Sequence, residues 1–288
     1  MTIIKTYQQY LDYIQEFRES ASLNSLHPVF RGHAKDTYQI SPTIVRDGLS
    51  FDKVLEFEKL ILSKFKENIK DKYIGEIALN LPDDPSDPLY NWYCLMQARH
   101  LELPSRMIDW SMDHDTPLYF AINNEKYHGV DGHIWILASS MGNFDNLNGD
   151  PEIIQKYRDS YHHINAGQLA QGDLVKIDPL NPEKILLVHF PYNAESMNSQ
   201  FAERRRAIQG GKFMILPNHL LSYPVEETIA GSMMHKIIID GNSKAKILEE
   251  QKKCIIINDE RVLVPIPTTT KILLNKIESD TRMELGIT

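Results

Sequence analysis

The segment Lys184-Ile185-Leu186-Leu187-Val188-His189-Phe190 is almost continuously apolar. A run of that kind is a strand buried on both faces, so the chain must build a sheet with cover above and below it. Further strand patterns lie at 132–137, after a glycine turn, and at 212–216 and 235–239. A short strand is expected at 27–32, which Pro28 can only open, and a turn or strand at 103–108. Helical patterns surround them. Thr6 with Gln9 makes a capping box, and Tyr7, Tyr10, Leu11, Ile14 and Phe17 follow at helical spacing up to a polar break at 20–25. Val54, Phe57, Ile61, Phe65 and Ile69 form one stripe of a long helix over 51–73. Shorter helices are expected at 91–100, 113–123, 198–209, 243–253 and 269–280. The proline- and aspartate-rich stretch 82–88 is a surface loop or insertion, since neither side of it holds a self-contained set of elements. Strands and helices mix without a regular βαβ beat. The expected class is therefore α+β, with a mixed, mainly antiparallel sheet surrounded by helices.

Composition removes several functions. A formal charge of −8 disfavours non-specific binding to nucleic acid or an anionic membrane, although Arg204-Arg205-Arg206 leaves room for a local basic groove. No apolar run approaches the ~20 residues of a membrane span, and Met1-Thr2-Ile3-Ile4-Lys5 lacks a signal-peptide core, so a cytoplasmic protein is expected. Cys94 and Cys254 are too few for a disulfide framework, and both are expected to be buried reduced thiols. Neither G-x-G-x-x-G, a P-loop, G-x-S-x-G nor H-E-x-x-H occurs. The eleven histidines are scattered, and no metal is expected.

Three segments carry chemistry. Arg31 sits between an apolar run and Gly32. A guanidinium in that setting cannot shed its charge, so it is either paired permanently with an internal carboxylate, Asp109 being the obvious partner, or held ready for an anion. Gly32 lets a ligand or another backbone approach closely. The second segment, Ser105-Arg106-Met107-Ile108-Asp109-Trp110-Ser111, places an arginine, a carboxylate, an indole and two hydroxyls before a helix that Ser111 or Asp113 could cap. The N–H groups of that helix end would form an anion site, unless these residues only cap and pack. The third, Arg205-Arg206 through Gly210-Gly211-Lys212-Phe213, is by itself a helix end with a glycine cap and a following strand.

Together these segments resemble the FRG domain family, named for Phe-Arg-Gly. Phe30-Arg31-Gly32 matches the name motif. His100 and Pro104-Ser105-Arg106-Met107-Ile108-Asp109-Trp110-Ser111, with Phe120-Ala121 behind them, match its central signature. Arg206, Gln209, Gly211 and Phe213 match its later arginine and Q-x-G-x-F pattern. The family often has Gln before the histidine and Gly two residues after it; here Arg99 and Glu102 stand there. The resemblance covers about residues 7 to 270, which implies one domain over 1–288, with the central signature at 27–125 and the elements at 130–280 part of the same fold.

The pattern is also similar to that of ADP-ribosyltransferases, which implies a split β core and NAD as ligand. On that likeness Arg31 would hold the phosphates or ribose, and the segment from Ser105 to Ser111 would form the second motif, with Trp110 stacking on nicotinamide or adenine. Arg31, Asp109 and Gln209 are the candidate catalytic residues. Phe30, Gly32, His100, Ser105, Arg106, Trp110, Ser111 and Arg206 are the candidate ligand-binding ones. The expected glutamate of the third motif is not evident; Gln209 carries no charge, and Glu203, Asp109 and Glu102 are the alternatives. Three functions remain open: an NAD-consuming transferase or glycohydrolase, a nucleotide-binding module without turnover, and a protein-interaction or toxin-like effector. The last is implied by the company such domains keep on bacterial mobile and phage-defence elements. A small nucleotide ligand is expected in the first two, with a macromolecular acceptor or protein partner in the first and third.

Overall fold

A computed structural model of the chain describes residues 1–23, 26–140, 161–165, 176–190, 211–255 and 265–287. Ten strands and six α-helices alternate along them. The strands are β1 (Thr2–Ile4), β2 (Leu26–His33), β3 (Tyr73–Ile74), β4 (Ile77–Ala78), β5 (Met107–Ser111), β6 (Gly132–Ser140), β7 (Tyr161–Asn165), β8 (Ile185–His189), β9 (Gly211–Ile215) and β10 (Met234–Ile239). The helices are α1 (Tyr7–Leu23), α2 (Phe51–Glu67), α3 (Tyr90–His100), α4 (Asp115–Ile122), α5 (Lys244–Cys254) and α6 (Thr268–Glu284).

Eight strands form one sheet in the order β1-β10-β6-β2-β5-β9-β8-β7, and β3 with β4 makes a separate hairpin. Pairing is antiparallel except at the two ends, where β1 runs parallel to β10 and β7 parallel to β8. This is the α+β class, with a mostly antiparallel mixed sheet. The sheet is not uniformly joined. β2 pairs with β6 from Leu26 to His33, yet it meets β5 at the single pair Phe30–Ser111.

The alternation of side chains along the strands sorts the core. Ile134 and Ile136 of β6, with Phe30, Ile237 and Ile239, face Tyr7, Tyr10 and Ile14 of α1, Leu118 and Ile122 of α4, and Ile247 of α5. The larger cluster packs Val54, Phe57, Ile61 and Phe65 of α2, Trp92 and Met96 of α3, and Leu274 and Ile277 of α6 together with β5, β8 and β9. Ile185, Leu186, Leu187 and Val188 are all buried, as their unbroken apolar run requires. No helix among the described residues is long and apolar enough to cross a membrane.

Several boundaries differ from expectation. Pro28 lies inside β2, opposite Ala138, rather than opening the strand. Because β2 touches β5 only at Phe30, no second partner requires an N–H at Pro28. α1 continues through residues 20–23, where a break was expected and where Ala21 keeps one buried position in the turn. α2 stops at Glu67, short of residue 73, because Asp71 and Lys72 take left-handed φ values of 49° and 63° that a helix cannot hold. Cys254 is exposed at the end of α5, while Cys94 is buried. β1 and the β3–β4 hairpin have too few residues to show a periodicity, and β7 was not anticipated. The helix expected at 198–209 lies outside the described residues.

Gly32 is where α4 and β2 meet most closely. A Cβ at this position would stand 1.8 Å from the Pro117 carbonyl oxygen, so the glycine serves the approach of another backbone. Gly32→Ala is expected to push α4 off the sheet and lower stability by about 3 kcal/mol, the upper end for an overpacked core. Urea unfolding followed by circular dichroism measures it, and an unchanged midpoint would contradict the packing described.

Candidate functional site

Beyond the Phe30–Ser111 pair β2 and β5 diverge, and a cleft of about 450 Å³ lies along the opening, a size within the range of small-ligand sites. Arg31 leaves β2 at this point. Its Nη1 donates to the Asp109 main-chain carbonyl at 2.5 Å and its Nε to His33 Nε2 at 3.1 Å. It is half-buried, facing the cleft rather than sealed in the core. Burial, only partly offset by Asp109 and reinforced by Arg99 and Arg46, brings its guanidinium down to about 10.

The permanent Arg31–Asp109 carboxylate pair is therefore not what forms. The Asp109 carboxylate is taken by Arg99 Nη2 from the last turn of α3. Its side chain remains 36% exposed and borders the cleft. Burial would raise its pKa, but Arg99, then Arg31 and His100, outweigh that and hold it below the usual carboxylate range. Arg46, exposed after the short turn at Thr43–Val45, also borders the cleft. His100 is buried at the end of α3 with its ring edge-on to Phe213 at 5.1 Å.

Two histidines stand behind Arg31. His33 Nδ1 lies 3.1 Å from His133 Nε2, and the two residues are register partners on β2 and β6. Burial first, then Arg31 and His133, push His33 down to about 2; burial, then Lys236, push His133 down to about 3. Both are neutral at physiological pH. Lys212 of β9, buried beside the cleft, is brought down to about 8 by desolvation. Tyr38 presents an exposed ring at the rim.

Of the candidate residues, the fold brings Phe30, Arg31, Gly32, His100, Asp109, Trp110 and Ser111 to one cleft. Trp110 is only 2% exposed, because the residue next to Asp109 on a strand points the other way, so it has no ring face to stack on a base. Its Nε1 finds no acceptor among the described residues. Ser111 ends β5 at the turn into α4; its hydroxyl donates to the Asp113 carbonyl at 2.8 Å and accepts the Asp113 N–H at 3.0 Å. Asp113 in turn accepts the Thr116 N–H at 2.9 Å and the Asp115 N–H at 3.2 Å. The expected anion site at this helix end is thus filled by the protein's own carboxylate.

Ser105 and Arg106 do not border the cleft. Ser105 Oγ accepts the Met107 N–H at 3.1 Å. Arg106 is fully buried and clasped by Glu58 of α2, with Nε at 2.9 and 2.8 Å from the two carboxylate oxygens and Nη2 at 2.5 Å. Its Nη1 reaches Asn218 Oδ1 at 2.9 Å, so this arginine ties α2 to the segments before β5 and after β9. Arg206 and Gln209 lie outside the described residues.

The cleft's cations Arg46, Arg99 and Lys212, and His33, were not anticipated as site residues. Lys212 is the one charge in an apolar strand and His33 lies two residues from Arg31, on the same strand face; both are visible signals. Arg46 carries none. Arg99 and Glu102 register only as departures from the usual pattern, and the structure explains both. Arg99 is the partner of Asp109. Glu102 takes φ 69° after α3, with Leu103 N–H bonding Ala98 O and Glu102 N–H bonding Arg99 O, the helix ending in which glycine is usual.

The family model described as FRG domain matches residues 27–129, from β2 to the turn before β6. The chain therefore carries an FRG domain, and the match contains Arg31, Arg99 and Asp109. No curated protein and no solved structure matches the chain.

Glu58→Gln, which leaves Arg106 buried without its counter-charge, is expected to cost roughly 3–5 kcal/mol in urea unfolding. Lys212 supplies a pH dependence. Between about 8 in the fold and 10.5 when unfolded, the unfolded chain holds one proton more, so stability rises with pH across that window. Unfolding free energies measured from pH 7 upward should show that rise, and Lys212→Met should flatten it.

Proposed function

We propose that this FRG-domain chain binds a phosphorylated nucleotide in the cleft between β2 and β5, and that the ligand is NAD, consumed by ADP-ribosyl transfer or glycohydrolysis. The observation that carries the reading is the convergence of Arg31, Arg46 and Arg99 on one cleft in a chain of net charge −8. An acidic protein that gathers three guanidiniums around one recess has built a local anion site. Arginine forks suit the paired oxygens of a pyrophosphate.

The residues fit that ligand in a second respect. When bound, NAD supplies a ribose whose C1′ becomes electron-poor as the neutral nicotinamide departs. Asp109 is ionised, borders the cleft and lies beside Arg31, so of the two acids on the lining, Asp109 and Glu102, its carboxylate is the one we assign to offset positive charge there. Arg31, held at its Nε and Nη1, orients the phosphates, and Arg99 shares its charge between Asp109 and the ligand. Tyr38 at the rim offers the ring face that Trp110 lacks. Gln209 and Arg206 are assigned to the ribose and phosphates by their place in the motif pattern.

The test is incubation of purified protein with NAD labelled on its adenylate portion, with and without protein acceptors, reading nicotinamide release and label transfer. Wild type is expected to release nicotinamide. Arg31→Ala should raise KM at least about tenfold, the loss of one charge-assisted contact. Asp109→Asn should lower kcat about 10²- to 10³-fold with binding retained. Binding without release by wild type would make the chain a nucleotide-binding module, and no binding of NAD would remove the reading.

A further inference from the structure

Arg31 is held from behind by a device that its proposed role as an anion reader does not itself require. Arg31, His33, His133 and Trp135 share one face of adjoining strands, with His33 opposite His133 and Arg31 opposite Trp135. The Arg31 Nε–H, protonated at neutral pH, points at His33 Nε2 across 3.1 Å, so that ring nitrogen accepts. Neutral His33 must then carry its proton on Nδ1, which faces His133 Nε2 at 3.1 Å and donates to it. His133 Nε2 is thereby an acceptor as well, and the His133 proton sits on Nδ1. On this assignment the His133 Nδ1–H is buried and finds no acceptor among the described residues. Each proton position follows from the one before it, starting from a guanidinium that keeps its charge at neutral pH.

We propose that His33 and His133 form a fixed-tautomer relay, both protonated on Nδ1, that locks the Arg31 guanidinium edge-on with its remaining N–H groups turned to the cleft. Nε is held by His33 and Nη1 by the Asp109 carbonyl, while no described residue accepts from Nη2. An arginine fixed at two of its three nitrogens loses little side-chain freedom when an anion arrives. His33 is a positioning residue that acts through Arg31, and its value to binding rests on the anion-reading cleft proposed above.

The test has one arm that needs no ligand. Nitrogen-15 NMR of the histidine rings and of the arginine Nε–H groups is recorded on wild type, His33→Gln and His33→Leu at neutral pH. Wild type is expected to show both rings as the Nδ1–H tautomer and Arg31 Nε–H protected from exchange. His33→Gln, whose amide can accept from Arg31 and donate to His133, should keep that protection, and His33→Leu should lose it. An Nε2–H tautomer or an imidazolium at His33 overturns the relay whatever the ligand results. The second arm titrates inorganic pyrophosphate. His33→Leu is expected to weaken binding at least tenfold and His33→Gln less than threefold. Equal binding by wild type and His33→Leu overturns the positioning role. Failure of wild type to bind pyrophosphate, with the tautomers as stated, refutes the anion-reading cleft and leaves the relay standing as a structural lock.

Discussion

The arrangement of the whole cleft depends on how little joins β2 to β5. Seven strand-to-strand contacts build the sheet, and the central one consists of the single pair Phe30–Ser111. Had the ladder continued, Arg31 would lie against β5 and the sheet would be closed at this place. Instead the strands part, and main-chain groups that a longer ladder would have used need other partners. Arg31 answers part of that need by donating to the Asp109 carbonyl. The same break opens a recess in the middle of the sheet and puts a cation at its edge.

The parting strands are held in place from outside. α4 sits on Gly32 so closely that only a glycine fits, which secures β2 just past the last pair. Glu58 of α2 clasps Arg106 at the entry to β5, with both side chains out of contact with water. Such a pair adds less to net stability than its geometry suggests, because two ions had to be stripped of water, but it permits few alternative arrangements. One arginine of the motif thus anchors a strand, while the arginine of the neighbouring strand is turned to the cleft.

Electrostatics in the recess follows from the same geometry. Arg31, Arg46 and Arg99 approach one another around the Asp109 carboxylate, each cation disfavouring its neighbours and all of them favouring the ionised acid. The histidines beside Arg31 remain neutral, since burial and the nearby guanidinium both oppose a further positive charge. The outcome is a recess rich in cations in a negatively charged protein, with Asp109 and Glu102 as the acids on its lining.

Local residue chemistry determined much of this on its own. The apolar run at 185–188 required a sheet covered on both faces, the stripes at Tyr7–Ile14 and Val54–Phe65 required helices against it, and Phe30-Arg31-Gly32 with Asp109 marked segments that the fold gathers at one cleft. These properties depend on side-chain type and spacing, which the sequence contains. It could not separate Arg31 from Arg106, two arginines in similar motifs, because their difference is the position of Glu58, 48 residues away along the chain. Nor could it bring Arg46 to the cleft, turn Trp110 inward, or reveal that Arg99 takes the Asp109 carboxylate from Arg31. Those outcomes were decided by tertiary structure alone. A charged group's role is set by which partner lies within a few ångströms of it, and that distance exists only once the sheet has formed and parted.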